Sequence, residues 1–192
     1  MCILSGFPTA LKSTTSFPFG IWFANATTLY VADEGNGTVG KTVANFYNAA
    51  AAQTTAGLQK WIFDSATNKW KMAYVLKAGL NLGVPYIVSG YPTGNNSGSG
   101  GTGLPWAPAP DGLRNITGVV NGDHTATIYA ITSTVSGNGD PGADPNQLVA
   151  ITDDLNATAL PGTESFTVLK TAGNGEVLRG VSLTPGSAVS GR

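Results

Sequence analysis

The sequence predicts an all-β fold built from repeated four-stranded antiparallel units, on three observations. Glycine (26 of 192 residues) and proline (11) are too frequent for long helices, because both break helix interiors. The apolar residues fall in short runs rich in Val, Ile, Thr, Tyr and Trp, each bounded by Gly, Asn or Asp. A local phrase, Gly followed by alternating apolar residues, occurs at Gly20-Ile21-Trp22-Phe23, at Gly118-Val119-Val120 and at Gly180-Val181-Ser182-Leu183, with Asn121 ending the alternation of the middle copy.

Taken in order, the first copy opens a unit over 17–76. It continues through Thr28-Leu29-Tyr30-Val31-Ala32-Asp33, then the run from Gly57 to Asp64, then Trp70 to Leu76, with Ser65-Ala66-Thr67-Asn68 as a tight hairpin. The second copy opens a unit over 113–172, whose later strands are Thr125 to Ser133, Gln147 to Asp153 and Glu164 to Ala172. The third copy, 177–185, reads as the first strand of a further unit. A four-stranded antiparallel meander repeated in this way is the blade of a β-propeller. The chain is thus expected to form one domain, 1–192, of two propeller-type blades plus one strand. Val43 to Ala56 is the helix candidate, an alanine-rich insertion between the second and third strands. The Gly, Ser and Pro of 90–112 predict a flexible insertion carrying Trp106. A closed propeller needs about four blades at least, so open blade faces and edges predict a symmetric homo-oligomer or a piece of a longer protein.

Charge narrows the partners. Charged residues are 11% of the chain and the net charge is -1, without the basic cluster that nucleic-acid binding requires. No run approaches the roughly 18 apolar residues of a membrane span. A surface of Thr, Ser, Asn and Gly suits an exported, extracellular protein. Residues 1–12 have no basic, apolar leader pattern, so the expectation is a piece of a longer secreted precursor rather than a cytoplasmic protein. Cys2, the single cysteine, excludes an internal disulfide and a thiolate metal cluster.

The phrases Pro18-Phe19-Gly20-Ile21, Tyr30-Val31-Ala32-Asp33 and Gln59-Lys60-Trp61 resemble the blades of NHL-type propellers and of the gluconolactonase group, well over Phe17 to Asp64 and faintly over Asp111 to Ala172. The chain also resembles the C-terminal part of larger secreted bacterial propeller proteins. The resemblance implies a propeller fold and, in the gluconolactonase group, a divalent metal held in a central channel by Glu, Asn and Asp. Only Asp111 and Asn115 align nominally with that set.

Candidate chemistry is sparse. Asn138, Asp140, Asp144 and Asn146 place four oxygen donors in one Gly/Pro-shaped loop, which suits Ca²⁺; the plainer alternative is a solvated hairpin with its own turn hydrogen bonds. Asp33-Glu34 would be an acid–base pair only if a bulge made them converge, and a solvent-exposed turn is the expectation. His124, the single histidine, would serve as a base with Ser133 or Ser136, or simply occupy a turn; no Gly-x-Ser-x-Gly elbow accompanies it. Trp22 and Trp61 alternate into blade cores, whereas Tyr86, Tyr91 and Trp106 sit in loops where a flat ring could stack on a ligand. Two functions compete: a module presenting these loops to a small molecule, glycan or peptide, and a Ca²⁺-dependent lactonase-type hydrolase.

Overall fold

The computed structural model describes residues 4–8, 16–37, 43–140 and 142–185. Among the described residues it is all-β apart from one short helix. Sheet 1 contains β1 (Pro18–Phe23), β2 (Thr28–Asp33), β3 (Gly57–Asp64) and β4 (Lys69–Leu76) in that order, and every neighbouring pair is antiparallel. Sheet 2 repeats the arrangement with β5 (Ala109–Val120), β6 (Thr125–Val135), β7 (Gln147–Asp154) and β8 (Thr167–Thr171). The helix α1 (Val43–Ala51) lies between β2 and β3. It ends before Thr54 and Thr55, shorter than the alanine run suggests, because β-branched residues crowd the preceding turn.

Several of the expected boundaries differ: β8 is confined to Thr167–Thr171 within the expected run Glu164 to Ala172, and β6 runs on to Val135. Strand β5 begins at Ala109, inside the segment read as an insertion, since Ala109 and Pro110 already pair with Val135 and Thr134. The rest of that segment is tied down rather than loose. Asn96 N–H donates to Leu104 C=O (2.7 Å), the Asn96 amide and Thr102 hydroxyl donate to Gly137 C=O, and Leu104 is buried. Residues 177–184 carry no strand; the Asn146 side chain holds Leu178 through both its backbone N–H (2.8 Å) and its C=O (2.9 Å).

Alternation sorts the strands into faces. The inner faces meet in one core: Tyr30, Ala32, Leu58, Tyr74 and Leu76 from sheet 1 against Leu113, Ala126, Ile128, Ala130, Val149 and Ile151 from sheet 2. The outer face of sheet 1 carries Leu29, Val31, Trp61 and Trp70, with Leu4 and Phe7 packed over it. The Phe7 ring stacks on Trp61 at 4.0 Å. Trp61 is therefore an outer-face residue, while Trp22 packs against the core between the sheets. A bulge explains how Trp70 and Tyr74, four residues apart on β4, face opposite ways: Trp61 pairs with Met72 but Lys60 pairs with Tyr74, leaving Ala73 as the extra residue. Beside the covered patch, Phe19, Ile21 and Phe23 on β1 remain about half exposed.

Within this core lies a charge. Lys60, on the inward phase of β3 next to Leu58, is wholly buried and reaches across to wholly buried Asp153 of β7 at 2.9 Å. Its ammonium also donates to Tyr74 Oη (3.0 Å), Asp154 C=O (2.6 Å) and Ala157 C=O (3.0 Å). Asp153 accepts from the hydroxyls of Tyr74 (2.6 Å) and Tyr30. Desolvation is large for such a pair and is offset only when every donor and acceptor finds a partner. Removing one member should therefore be costly: Lys60→Met is expected to lose about 3–5 kcal/mol of stability, measured by urea unfolding. A loss below about 1 kcal/mol, the range of exposed pairs, would mean the contact does not hold the sheets together.

Candidate functional site

The sequence-derived loop aromatics do come together. Tyr86 and Tyr91 lie on the connection from β4 to β5, where turns at Asn81, Gly83 and Gly90, all with positive φ, fold the chain back on sheet 2. The backbone N–H of Trp106 donates to Gly94 C=O (2.9 Å), which sets its ring edge-on to Tyr91 at 6.5 Å and 88°. Tyr86 donates its hydroxyl to Pro145 C=O (2.7 Å), and Tyr91 donates to Asp144 Oδ1 (2.6 Å). Burial, then the neighbouring Asp144 charge, pushes both phenols above their ordinary range. The three rings are half-buried, and beside them Ile87 is 88% exposed. Together they form a fixed aromatic ledge; Thr93 lines the small cavity beside Tyr86 and Tyr91, Asn95 pairs with Pro105 next to Trp106, and Asn138 reaches Asp144 beneath Tyr91.

Asp144 is the anchor of the ledge. It is 1% exposed and accepts Ser136 Oγ at 2.6 Å, with Thr134 Oγ1 (3.5 Å) and the Asn138 amide (3.4 Å) at longer range. The other residues read as Ca²⁺ ligands point elsewhere. Asp140 Oδ1 accepts the Gly142 N–H (2.9 Å) in a turn, and Asn146 Oδ1 is taken by Leu178 N–H. Protein donors thus already engage both oxygens of Asp144, Oδ1 of Asn146 and Oδ1 of Asp140, which leaves fewer oxygens for a cation than the sequence pattern suggests. Among the described residues, no group of three or more His, Cys, Asp and Glu is placed to hold a metal.

The remaining candidates are dispersed. Asp111, at the start of β5, is buried and accepts the Gly37 N–H (2.8 Å) and the Gln53 amide. Burial pushes its carboxyl up to about 6, against these two hydrogen bonds, and the Asp33 and Glu34 charges add to the rise. Asn115 sits half-buried in the bulge between Leu113 and Ile116. Asp33 and Glu34 do diverge, but neither lies in a solvent-exposed turn. Asp33 is wholly buried under Ser16, Phe17 N–H and Gln59 (each 2.9 Å), and Glu34 pairs with Arg114 at 2.8 Å. His124 occupies an exposed turn with φ 62° at the start of β6. Ser133 is nine residues further along, about 30 Å away at roughly 3.3 Å per residue, and donates to Glu34 C=O.

Sequence reasoning missed the Lys60–Asp153 cluster, though a signal existed. Lys60 shares the inward phase of Leu58, and Asp153 that of Val149 and Ile151. No family model, curated protein or solved structure matches the chain, so the likeness to propeller blades rests on the phrases of its own strands.

If Asp144 positions the ledge, Asp144→Ala should free the Tyr91 phenol. Its titration, followed by ultraviolet absorbance, is then expected to fall toward the ordinary tyrosine value, with a loss of about 2–4 kcal/mol from the orphaned hydroxyls. An unmoved Tyr91 titration would show that burial alone holds it.

Proposed function

We propose that this chain is a binding module of an exported protein, presenting the Tyr86–Tyr91–Trp106 ledge to a glycan. The single observation behind this reading is the pre-set geometry of the ledge. Both tyrosine hydroxyls are bonded to the β6–β7 turn, so the rings keep their places before any ligand arrives. Rings fixed in advance lose little conformational freedom on binding. An aromatic face stacks on the C–H face of a sugar ring, and the side chains of Thr93, Asn95 and Asn138 supply donors and acceptors around it for the hydroxyls. The lactonase alternative has less behind it: the carboxylates of Asp111 and Asp144 and the side-chain carbonyl of Asn146 already accept protein hydrogen bonds. Assembly into a ring of copies belongs to the same reading and is supported by half-exposed Phe19, Ile21 and Phe23 on β1.

A glycan array followed by calorimetry tests the binding reading. Trp106→Ala is expected to weaken the selected glycan by roughly ten- to a hundredfold, in line with about 1–3 kcal/mol for a buried ring contact. Lactone turnover that is sensitive to chelator and lost in Asp111→Ala, without glycan binding, would replace this reading with the enzymatic one. Light scattering on the intact protein decides the assembly: a soluble monomer at micromolar concentration would remove that part.

A further inference from the structure

The charges at the junction of the two sheets, two of them wholly buried and one partly so, do not balance. Lys60 supplies one positive charge, while Asp153 and Glu164 supply two carboxylates. Glu164 precedes β8, and its Oε1 accepts the Asp154 N–H at 3.0 Å. Its Oε2 is buried and receives no donor, an arrangement that is costly for a charged oxygen. The groups facing it are Asp153 and Asp154 of β7, Lys60 of β3, and the phenols of Tyr30 on β2 and Tyr74 on β4, both pushed upward by burial and by Asp153. No second cation stands among them. A proton on Glu164 resolves both problems, since the neutral acid leaves one pair of opposite charges and its O–H can donate to Asp153.

We propose that Glu164 carries a proton on its otherwise unpartnered Oε2, and that losing it loosens the connection 155–166 from sheet 1. That connection is pinned at two places near the cluster. Lys60 binds the carbonyls of Asp154 and Ala157, and the Phe166 N–H donates to Ala78 C=O at 2.8 Å. An unscreened second carboxylate competes for the same lysine and repels Asp153. Protons reach the site from a groove of about 480 Å³ between β7 and the β8 approach, lined by Thr152, Thr163, Glu164, Ser165 and Thr167. The device is a proton-sensitive latch between the two sheets.

The direction follows from linkage. Burial, followed by the contact with Asp153, lifts the Glu164 carboxyl from 4.5 to about 7. The folded state then binds a proton that the unfolded chain lacks between those values, so stability falls as pH rises through this window and is level above it. Glu164 is partly solvated, which reduces the effect to a rise of about tenfold in the unfolding equilibrium constant between pH 5 and 8. Asp111, pushed up to about 6, adds a change of the same sign, so the measured quantity is the difference between wild type and Glu164→Gln, each unfolded in urea across that range. The difference is expected to follow the tenfold rise, because the amide mimics the protonated acid at every pH. Infrared spectroscopy gives an independent readout: because Asp111 also carries a proton near pH 6, the band sought is the protonated-carboxyl band in the wild-type minus Glu164→Gln difference spectrum at pH 6, fading by pH 8. A parallel pH profile for the two proteins, or the absence of that band at pH 6, would overturn the proposal.

Discussion

Burial of one ammonium group against one carboxylate organises this molecule. Each sheet is a local meander whose strands could pair without reference to the other. What fixes one sheet over the other is the demand of Lys60 for acceptors that only sheet 2 and its following loop can supply. An apolar interface tolerates sliding at modest cost, because dispersion and burial have no direction. A charged group inside it does not, since a displacement of an ångström or two strands a donor in a medium that cannot solvate it. The Ala73 bulge serves this demand by turning Tyr74 inward, where its hydroxyl lies between Lys60 and Asp153.

The same economy recurs elsewhere. With charges at 11% of the chain, four of its 11 acidic residues, Asp33, Asp111, Asp144 and Asp153, are at most 1% exposed. Each of these carboxylates ties together segments distant in sequence. Asp33 joins the start of β1 to β3, Asp111 joins the approach to α1 to β5, and Asp144 joins the β4–β5 connection to the β6–β7 turn. Long connections carrying many glycines have little apolar surface to bury, so a carboxylate accepting several hydrogen bonds is an efficient joint. These four acidic residues work inside, while others such as Asp123, Asp140, Asp154 and Glu176 lie on the surface.

The strands were legible in the sequence because each is a short run rich in Val, Ile, Thr, Tyr or Trp bounded by turn residues; β6 and β7 alternate in part, whereas β2 and β3 are buried along most of their length. The failures have local causes. Trp61 was expected in a blade core, but it lies on the outer face under Phe7, because both faces of sheet 1 are apolar and the period-two pattern does not say which one meets sheet 2. Asp33 read as exposed because a carboxylate beside Gly looks like a turn, and its partners Ser16 and Gln59 are specified by folding, not by neighbours in the chain. The third copy of the Gly-apolar phrase forms no strand, since pairing needs a partner edge as well as a suitable sequence. The loop aromatics were recognisable as a set, but not the carboxylate that holds them. Asp144 looked like a metal ligand because its oxygens were counted without the hydroxyls that would fill them.

Strand β4 has one position at which its length is negotiable. Ala73 has no partner across β3, so its loss would close the ladder into regular pairing while Trp70 and Met72 stay outward and Tyr74 and Leu76 stay inward. A residue gained or lost on either side of it, within the paired run, exchanges the two faces and sends an aromatic ring into water or a lysine into the wrong layer. Descendants of this chain can therefore vary freely in the length of their connections, but along β4 they have a single place to shorten.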